Sequence, residues 1–109
     1  MVRMLELDKK TFAPEVLEAE GKVLVDFYGE GCVPCAALMP HVHGFAEKYA
    51  DSALKFCALN TTKARRVAIG QQIMGLPVVA IYENGQKVEE LVKDDATPEA
   101  VEEMIKRYI

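Results

Sequence analysis

The segment Lys22-Val-Leu-Val-Asp-Phe-Tyr28 constrains the fold of this chain more than any other. It is a nearly continuous run of β-branched, aliphatic and aromatic residues. A strand exposed on one face would alternate apolar and polar; an unbroken run belongs to a strand covered on both faces, inside a sheet with helices on either side. One acid, Asp26, interrupts it.

The flanking segments supply the rest of such a fold. Residues 1–7 read as a short edge strand. Residues 11–20 read as a helix with Thr11 as a possible N-cap, Pro14 in the first turn and Gly21 past the end. From Pro34, apolar residues fall at Cys35, Leu38, Met39, Val42, Phe45, Ala46 and Tyr49, which predicts a helix to residue 50. Residues 53–59 form a weakly alternating strand, and 63–73 a helix with a poor apolar stripe. Gly75-Leu76-Pro77 breaks the chain before a strand over 78–82. Asn84-Gly85 is a strong hairpin turn, so Gln86–Val92 should pair antiparallel with that strand. Thr97-Pro98 opens a last helix with Val101, Met104, Ile105 and Tyr108 on one face. The order βαβαβαββα, with no repeat or linker, predicts a single α/β domain over residues 1–109: a central mixed β-sheet flanked by helices on both faces. Helical crossovers make parallel neighbours and the hairpin an antiparallel pair. In such sheets the reactive loop lies beyond the carboxyl end of a central strand. Cys32 falls there.

Charge and cysteine content narrow the chemistry. A net charge of −4 leaves no basic surplus for phosphates, so nucleic acid and anionic membrane are poor candidate partners. The beginning of the chain lacks the apolar core of a signal peptide and nothing approaches the roughly 18 apolar residues of a membrane span, which points to the cytoplasm. Three cysteines are too few for a secreted disulfide framework. Two of them, Cys32 and Cys35, stand at C-x-x-C spacing, a redox pair first and half of a metal site second. Zinc needs four ligands, and the remaining candidates are Cys57, His41 and His43. His41 and His43, two apart on a helix, do not face each other, so no metal is expected. Cys57, in a strand pattern, reads as a small buried hydrophobe, with a regulatory thiol as the alternative.

Three residues apart in the first turn of a helix, two cysteines can switch between dithiol and disulfide without moving the fold. Cys32 at the helix N-terminus meets unpaired N–H groups and the positive end of the dipole, which favour its thiolate and make it the nucleophile. Cys35, on the apolar stripe, is the resolving thiol. Asp26, the only acid on the neighbouring strand, is placed to take the Cys35 proton if burial raises its pKa. A paired or outward-facing acid is the alternative.

These residues resemble a known family. Val25-Asp-Phe-Tyr-Gly-Glu-Gly-Cys-Val-Pro-Cys35 is similar to the active-site segment of thioredoxins, Leu38-Met39-Pro40 to the helix kink that follows, and Gly75-Leu76-Pro77 to the family's loop ending in a cis-proline. The resemblance covers essentially the whole chain. It implies a thioredoxin fold and thiol-disulfide exchange through a redox-active Cys32–Cys35 disulfide with no other cofactor. It also implies a monomer, with Cys32 as attacking thiol, Cys35 as resolving thiol, Asp26 as buried acid, and a substrate groove of Val33, Pro34, Gly75, Leu76, Pro77 and Lys93. A cis bond at Pro77 would make a tight turn and leave the adjacent backbone free to pair with a substrate strand. A thiol oxidant or isomerase, and a binding module that keeps the fold without turnover, are the competing expectations. The chain departs from the family pattern at Tyr28 and Gly31, where tryptophans are usual, and at Val33, where glycine is usual. Ala36 and Ala58 replace lysines, and Lys93 replaces a groove glycine. Ala58 removes a cation beside Asp26 and should raise its pKa further. Gly31-Cys-Val-Pro-Cys35, Ala64-Arg65-Arg66 and Lys93-Asp-Asp-Ala-Thr97 resemble the divergent thioredoxins of amino-acid-fermenting anaerobes. That likeness implies a flavoprotein thioredoxin reductase upstream and glycine, sarcosine or betaine reductase downstream. Lys63, Arg65 and Arg66 crowd one helix start, as a docking face or as plain solvated surface.

Overall fold

The apolar run becomes β2 (Lys22–Tyr28), the central strand of a five-stranded sheet in a computed structural model that describes residues 4–109. The expectation for residues 1–3 lies outside the described residues. Along the chain, β1 (Met4–Leu7) precedes β2, and α1 (Val33–Lys48), β3 (Leu54–Asn60) and α2 (Arg65–Gly70) follow it. Then come β4 (Val78–Glu83), β5 (Gln86–Val92) and α3 (Pro98–Lys106). The sheet order is β1-β3-β2-β4-β5.

Both faces of the sheet are covered, as the unbroken run requires. On one side Leu24, Ala58, Val79 and Ile81 pack with Leu38 and Val42 of α1 and Val101, Met104 and Ile105 of α3. On the other, Val23, Val25, Phe27, Cys57 and Tyr82 pack with Phe12, Val16 and Ala64. At about 25 cal/mol per Å² of apolar surface, each fully buried aliphatic or aromatic side chain contributes ~1.5–3 kcal/mol to holding these layers together.

The strands at the centre decide where the site lies. β1 and β2 both run parallel to β3, but β4 runs antiparallel to β2 as well as to β5. The crossover through α2 therefore does not return the chain to the start of the sheet. It stays at the end where β2 and β3 finish, and Val78 enters β4 opposite Phe27. This reversal puts Pro77 beside the loop that carries Cys32. β5 then comes back to the same end, pairing Val92 with Val78, so Lys93 joins them.

Two helices differ from expectation. The predicted helix over 11–20 is a single wide π-helical turn, Ala13–Leu17, closed by the Glu18 N–H on the Ala13 carbonyl. Thr11 is not its cap. The turn before it is held by Asp8, which accepts from the Lys10 and Thr11 amides, while the Thr11 hydroxyl accepts from the Asp8 amide. Phe12 and Val16, four apart, are the only fully buried anchors, too few to sustain three turns. The predicted helix over 63–73 is likewise divided. Asn60 caps a separate 3₁₀ turn at Thr61–Lys63 through the Thr62 amide, and α2 runs only from Arg65 to Gly70. A Gln72 φ of 61° then turns the chain away. By contrast Thr97 caps α3 through the Ala100 amide, and Asn84 and Gly85 both take the positive φ their turn demands.

Candidate active site

Four chain segments meet where β2 ends. Gly31, at φ +77°, makes the sharp turn out of the strand. Cys32 follows in an extended conformation as N-cap of α1, and its Sγ accepts the Cys35 amide at 3.2 Å. Cys32 and Cys35 are joined in a disulfide with their Cα atoms 5.3 Å apart. Their environments differ as the helix stripe predicts: Cys32 is half-buried, whereas Cys35 is 3% exposed. The turn is tied to the end of β3. The Thr61 hydroxyl donates to the Tyr28 carbonyl at 2.8 Å, and the Glu30 amide donates to the Thr62 hydroxyl at 2.9 Å.

The loop from α2 closes over this turn. Its Leu76–Pro77 peptide is cis. Leu76 leans on Gly29, where a Cβ would lie only 2.9 Å from Leu76 Cδ1, so the glycine leaves the room the loop occupies. The Lys93 amide donates to the Pro77 carbonyl at 2.8 Å, and the Lys93 side chain lies across Gly75. Cys32, Gly75 and Leu76 share one cleft of about 520 Å³. Pro34, Pro77 and Lys93 line a second, of about 310 Å³. All six residues expected in the groove thus border the disulfide end of the sheet, with Val33 fully out at 77% exposure.

Asp26 lies beneath this end, 1% exposed, and its Oδ2 has no hydrogen-bond partner among the described residues. Side chains alternate along β2, so Asp26 shares the face of Leu24, the face that α1 covers, and points to the Cys35 side of the sheet. Its neighbours in register are Ala58 on β3 and Val79 on β4; neither supplies a cation or a donor. Burial pushes its carboxyl from 3.8 up to about 7, with a smaller push from the Glu6 carboxylate. Glu6 stands in register with Ala58 on the far side of β3, so Glu6, Ala58 and Asp26 form a row across three strands. That second acid is an influence the sequence analysis missed, because only strand register brings residues 6 and 26 together. Cys57 is fully buried on the opposite face, its thiol pushed up to about 11 by burial. His41 and His43 are both exposed. Among the described residues no three His, Cys, Asp or Glu side chains are placed to hold a metal ion.

Comparison with known proteins decides the family. The thioredoxin family model matches residues 3–107. The chain belongs to the thioredoxin family. It is 54% identical over 106 residues to a thioredoxin of Acetoanaerobium sticklandii, covering 97% of this chain and all of the relative. To a thioredoxin of Peptoclostridium acidaminophilum it is 53% identical, covering 97% and 96%. The fold matches a mutant thioredoxin from Halobacterium salinarum with a TM-score of 0.82 at 26% identity, covering 96% of this chain and 89% of that one. As a thioredoxin it is a disulfide oxidoreductase whose redox group is its own disulfide.

The departures from the thioredoxin pattern take physical form here. Gly31 and Ala36, both short, help to leave a largely apolar cleft of about 420 Å³ that reaches Cys32 and Cys35 and is walled by Tyr28, Val33 and Met39. Lys93 holds a φ of 53°, which glycine adopts freely and lysine does at a cost. Two residues beside Cys32 escaped sequence analysis, Ile69 and Met74; Arg65, already singled out as part of a basic crowding, lines the same cleft. Ile69 is 75% and Met74 91% exposed. The poor stripe of the 63–73 segment was the one signal for Ile69, since apolar residues off a helix stripe face solvent or a partner.

Proposed function

We propose that this thioredoxin is a reducing carrier that passes two electrons from a flavoprotein thioredoxin reductase to protein disulfides. The supporting observation is the asymmetric disulfide, with one sulfur reachable at a helix N-terminus and the other buried one turn in, on the helix that covers the sheet face of Asp26, whose Oδ2 has no hydrogen-bond partner among the described residues. In the reduced state the Cys32 thiolate attacks one sulfur of the target; the target's S–S bond breaks and its other sulfur leaves as thiolate. Cys35 then gives its proton to Asp26, which near pH 7 is a competent acceptor, and attacks Cys32 Sγ. The mixed disulfide breaks, the target leaves fully reduced, and Cys32–Cys35 is restored for the reductase. Val33, Pro34, Gly75, Leu76, Pro77 and Lys93 form the surface on which the target strand lies. The likeness to thioredoxins of amino-acid-fermenting anaerobes supports glycine, sarcosine or betaine reductase as the target. The free, buried Cys57 suits a reducing compartment, the cytoplasm, in which the chain acts as a monomer.

Reduction of insulin disulfides with dithiothreitol tests the catalytic part, with Cys32→Ser expected to abolish it. A Cys32→Ser variant as active as the parent makes the fold a binding module. Equilibration with glutathione tests the direction: a reductant lies near −270 mV, and a value above roughly −200 mV makes the protein an oxidant or isomerase instead. Trapping with Cys35→Ser, which leaves the mixed disulfide standing, names the target.

A further inference from the structure

Cations in this chain are distributed unevenly with respect to their partners. Lys48, Lys55, Lys87, Lys106 and Arg107 are each paired with a glutamate. Lys9, Lys10, Lys63, Arg65 and Arg66 have no acidic partner among the described residues, all five are exposed, and all five line one cleft of about 540 Å³ beneath α2. The chain has 17 acids for 13 bases, so the lack of partners does not come from a shortage of acid. The acids closest along the chain and the strands are occupied otherwise. Asp8 takes the Lys10 and Thr11 amides, Glu6 takes the Tyr28 hydroxyl, and Glu30 takes the Asn60 side-chain amide. Asp8, which feels the charge of Lys10, and Glu6, which lines a neighbouring cleft with Asp8 and Lys63, offset only part of this charge, and the surplus of like charge repels itself.

The cleft is continuous with the reactive centre. Arg65 lines both it and the neighbouring cleft that contains Cys32, Gly75 and Leu76. A polypeptide that presents its disulfide to Cys32 and leaves past Arg65 runs over Lys63, Arg66, Lys9 and Lys10. We propose that this basic cleft is a docking surface for an acidic stretch adjacent to the reactive disulfide of a partner protein, and that it selects partners by charge. The proposal rests on the disulfide exchange described above. A protein segment fits better than a nucleic acid, because the chain as a whole carries a net charge of −4 and exposed acids such as Asp94, Asp95 and Glu99 would repel a long polyanion.

The test uses oxidised synthetic peptides that share one disulfide and carry an arm of Glu, Gln or Lys residues on either side of it. Stopped-flow rates of reduction by the reduced full chain are compared at about 20 mM and about 300 mM salt, where charges act over roughly 20 Å and 6 Å. Steering of this kind raises association rates by 10- to 1,000-fold, so at low salt the Glu-armed peptide should react about tenfold faster than the Gln-armed one, and the Lys-armed one more slowly than both. The advantage should vanish at high salt, and the Glu/Gln rate ratio should fall toward one in a K9Q/K10Q/K63Q/R66Q variant. A ratio near one in the unaltered protein at low salt overturns the proposal. So does a ratio that survives the four substitutions in a folded variant; should that variant not fold, the salt series and the Lys arm decide alone. Inhibition of all three peptides alike by a short oligodeoxynucleotide marks a general polyanion site and also overturns it. Reduction of none of the peptides would instead be a failure at the dithiol, and would refute the exchange on which docking depends.

Discussion

Replacing Asp26 by Asn keeps the shape of the side chain and removes its ionisation, so the pH dependence of the effect isolates the buried charge. In the folded protein the carboxyl titrates near 7 instead of 3.8, because burial, and secondarily Glu6, disfavour the anion. The native state thus holds this proton more tightly than the unfolded chain. The stability this gives is complete below pH 4, declines as the pH rises from 4 toward 7, and is gone above 7. A difference of about three in pKa corresponds to about 4 kcal/mol, an order-of-magnitude figure, at 1.36 kcal/mol per tenfold. At pH 5 only ~1.6 kcal/mol of that has been lost, and at pH 8 all of it has. Asp26→Asn escapes this loss. Its stability relative to the parent should therefore grow by about 2.5 kcal/mol between pH 5 and pH 8, which for a domain of this size is ~10–20 °C in melting temperature. The Asn amide is also buried without a partner, but that cost does not titrate, so it shifts both ends of the comparison equally. Urea unfolding of the oxidised proteins at several pH values measures the difference. A gain that is constant with pH, or largest at pH 5, would refute the assignment of the buried charge to Asp26.

Other substitutions probe the same end of the sheet. Ala58→Lys places a cation in register with Asp26 and should lower its pKa, flattening the fall in stability of the Asp26 protein between pH 5 and 8; an unchanged slope in urea unfolding counts against the row of Glu6, Ala58 and Asp26. Gly31→Ala meets no atoms within 4 Å, so its cost is the backbone alone, ~1 kcal/mol for a left-handed conformation after allowing for the stiffer unfolded chain. A melting temperature equal to the parent's would show that the turn relaxes. Cys57, fully buried with its thiol near 11, should resist iodoacetamide at pH 8 in the oxidised native protein and react only in denaturant. Labelling without denaturant would reveal local opening of the β3 face.

Sequence by itself determined the elements whose cause is local. β2 followed from its unbroken apolar run, α1 from its stripe, the β4–β5 turn from Asn84-Gly85 and the start of α3 from Thr97-Pro98. It also placed Cys32 at a helix start and Cys35 on a buried stripe, because both facts depend on residues within one helical turn of each other. Tertiary structure decided whatever depends on residues far apart. The antiparallel course of β4 brings Pro77 and Lys93 to Cys32, through backbone pairing between strands some fifty residues apart in the chain. Register across β3 set Glu6 in line with Asp26, a like charge no local pattern encodes. The helix cut to one turn and the helix divided in two show the same limit. Asp8 and Asn60 offered the backbone alternative hydrogen bonds, and only the packing of the sheet face determined how many helical turns were worth completing. The basic cleft was present in the sequence as a crowding of Lys63, Arg65 and Arg66. The folded chain added Lys9 and Lys10 to it and joined it, through Arg65, to the reactive cysteine.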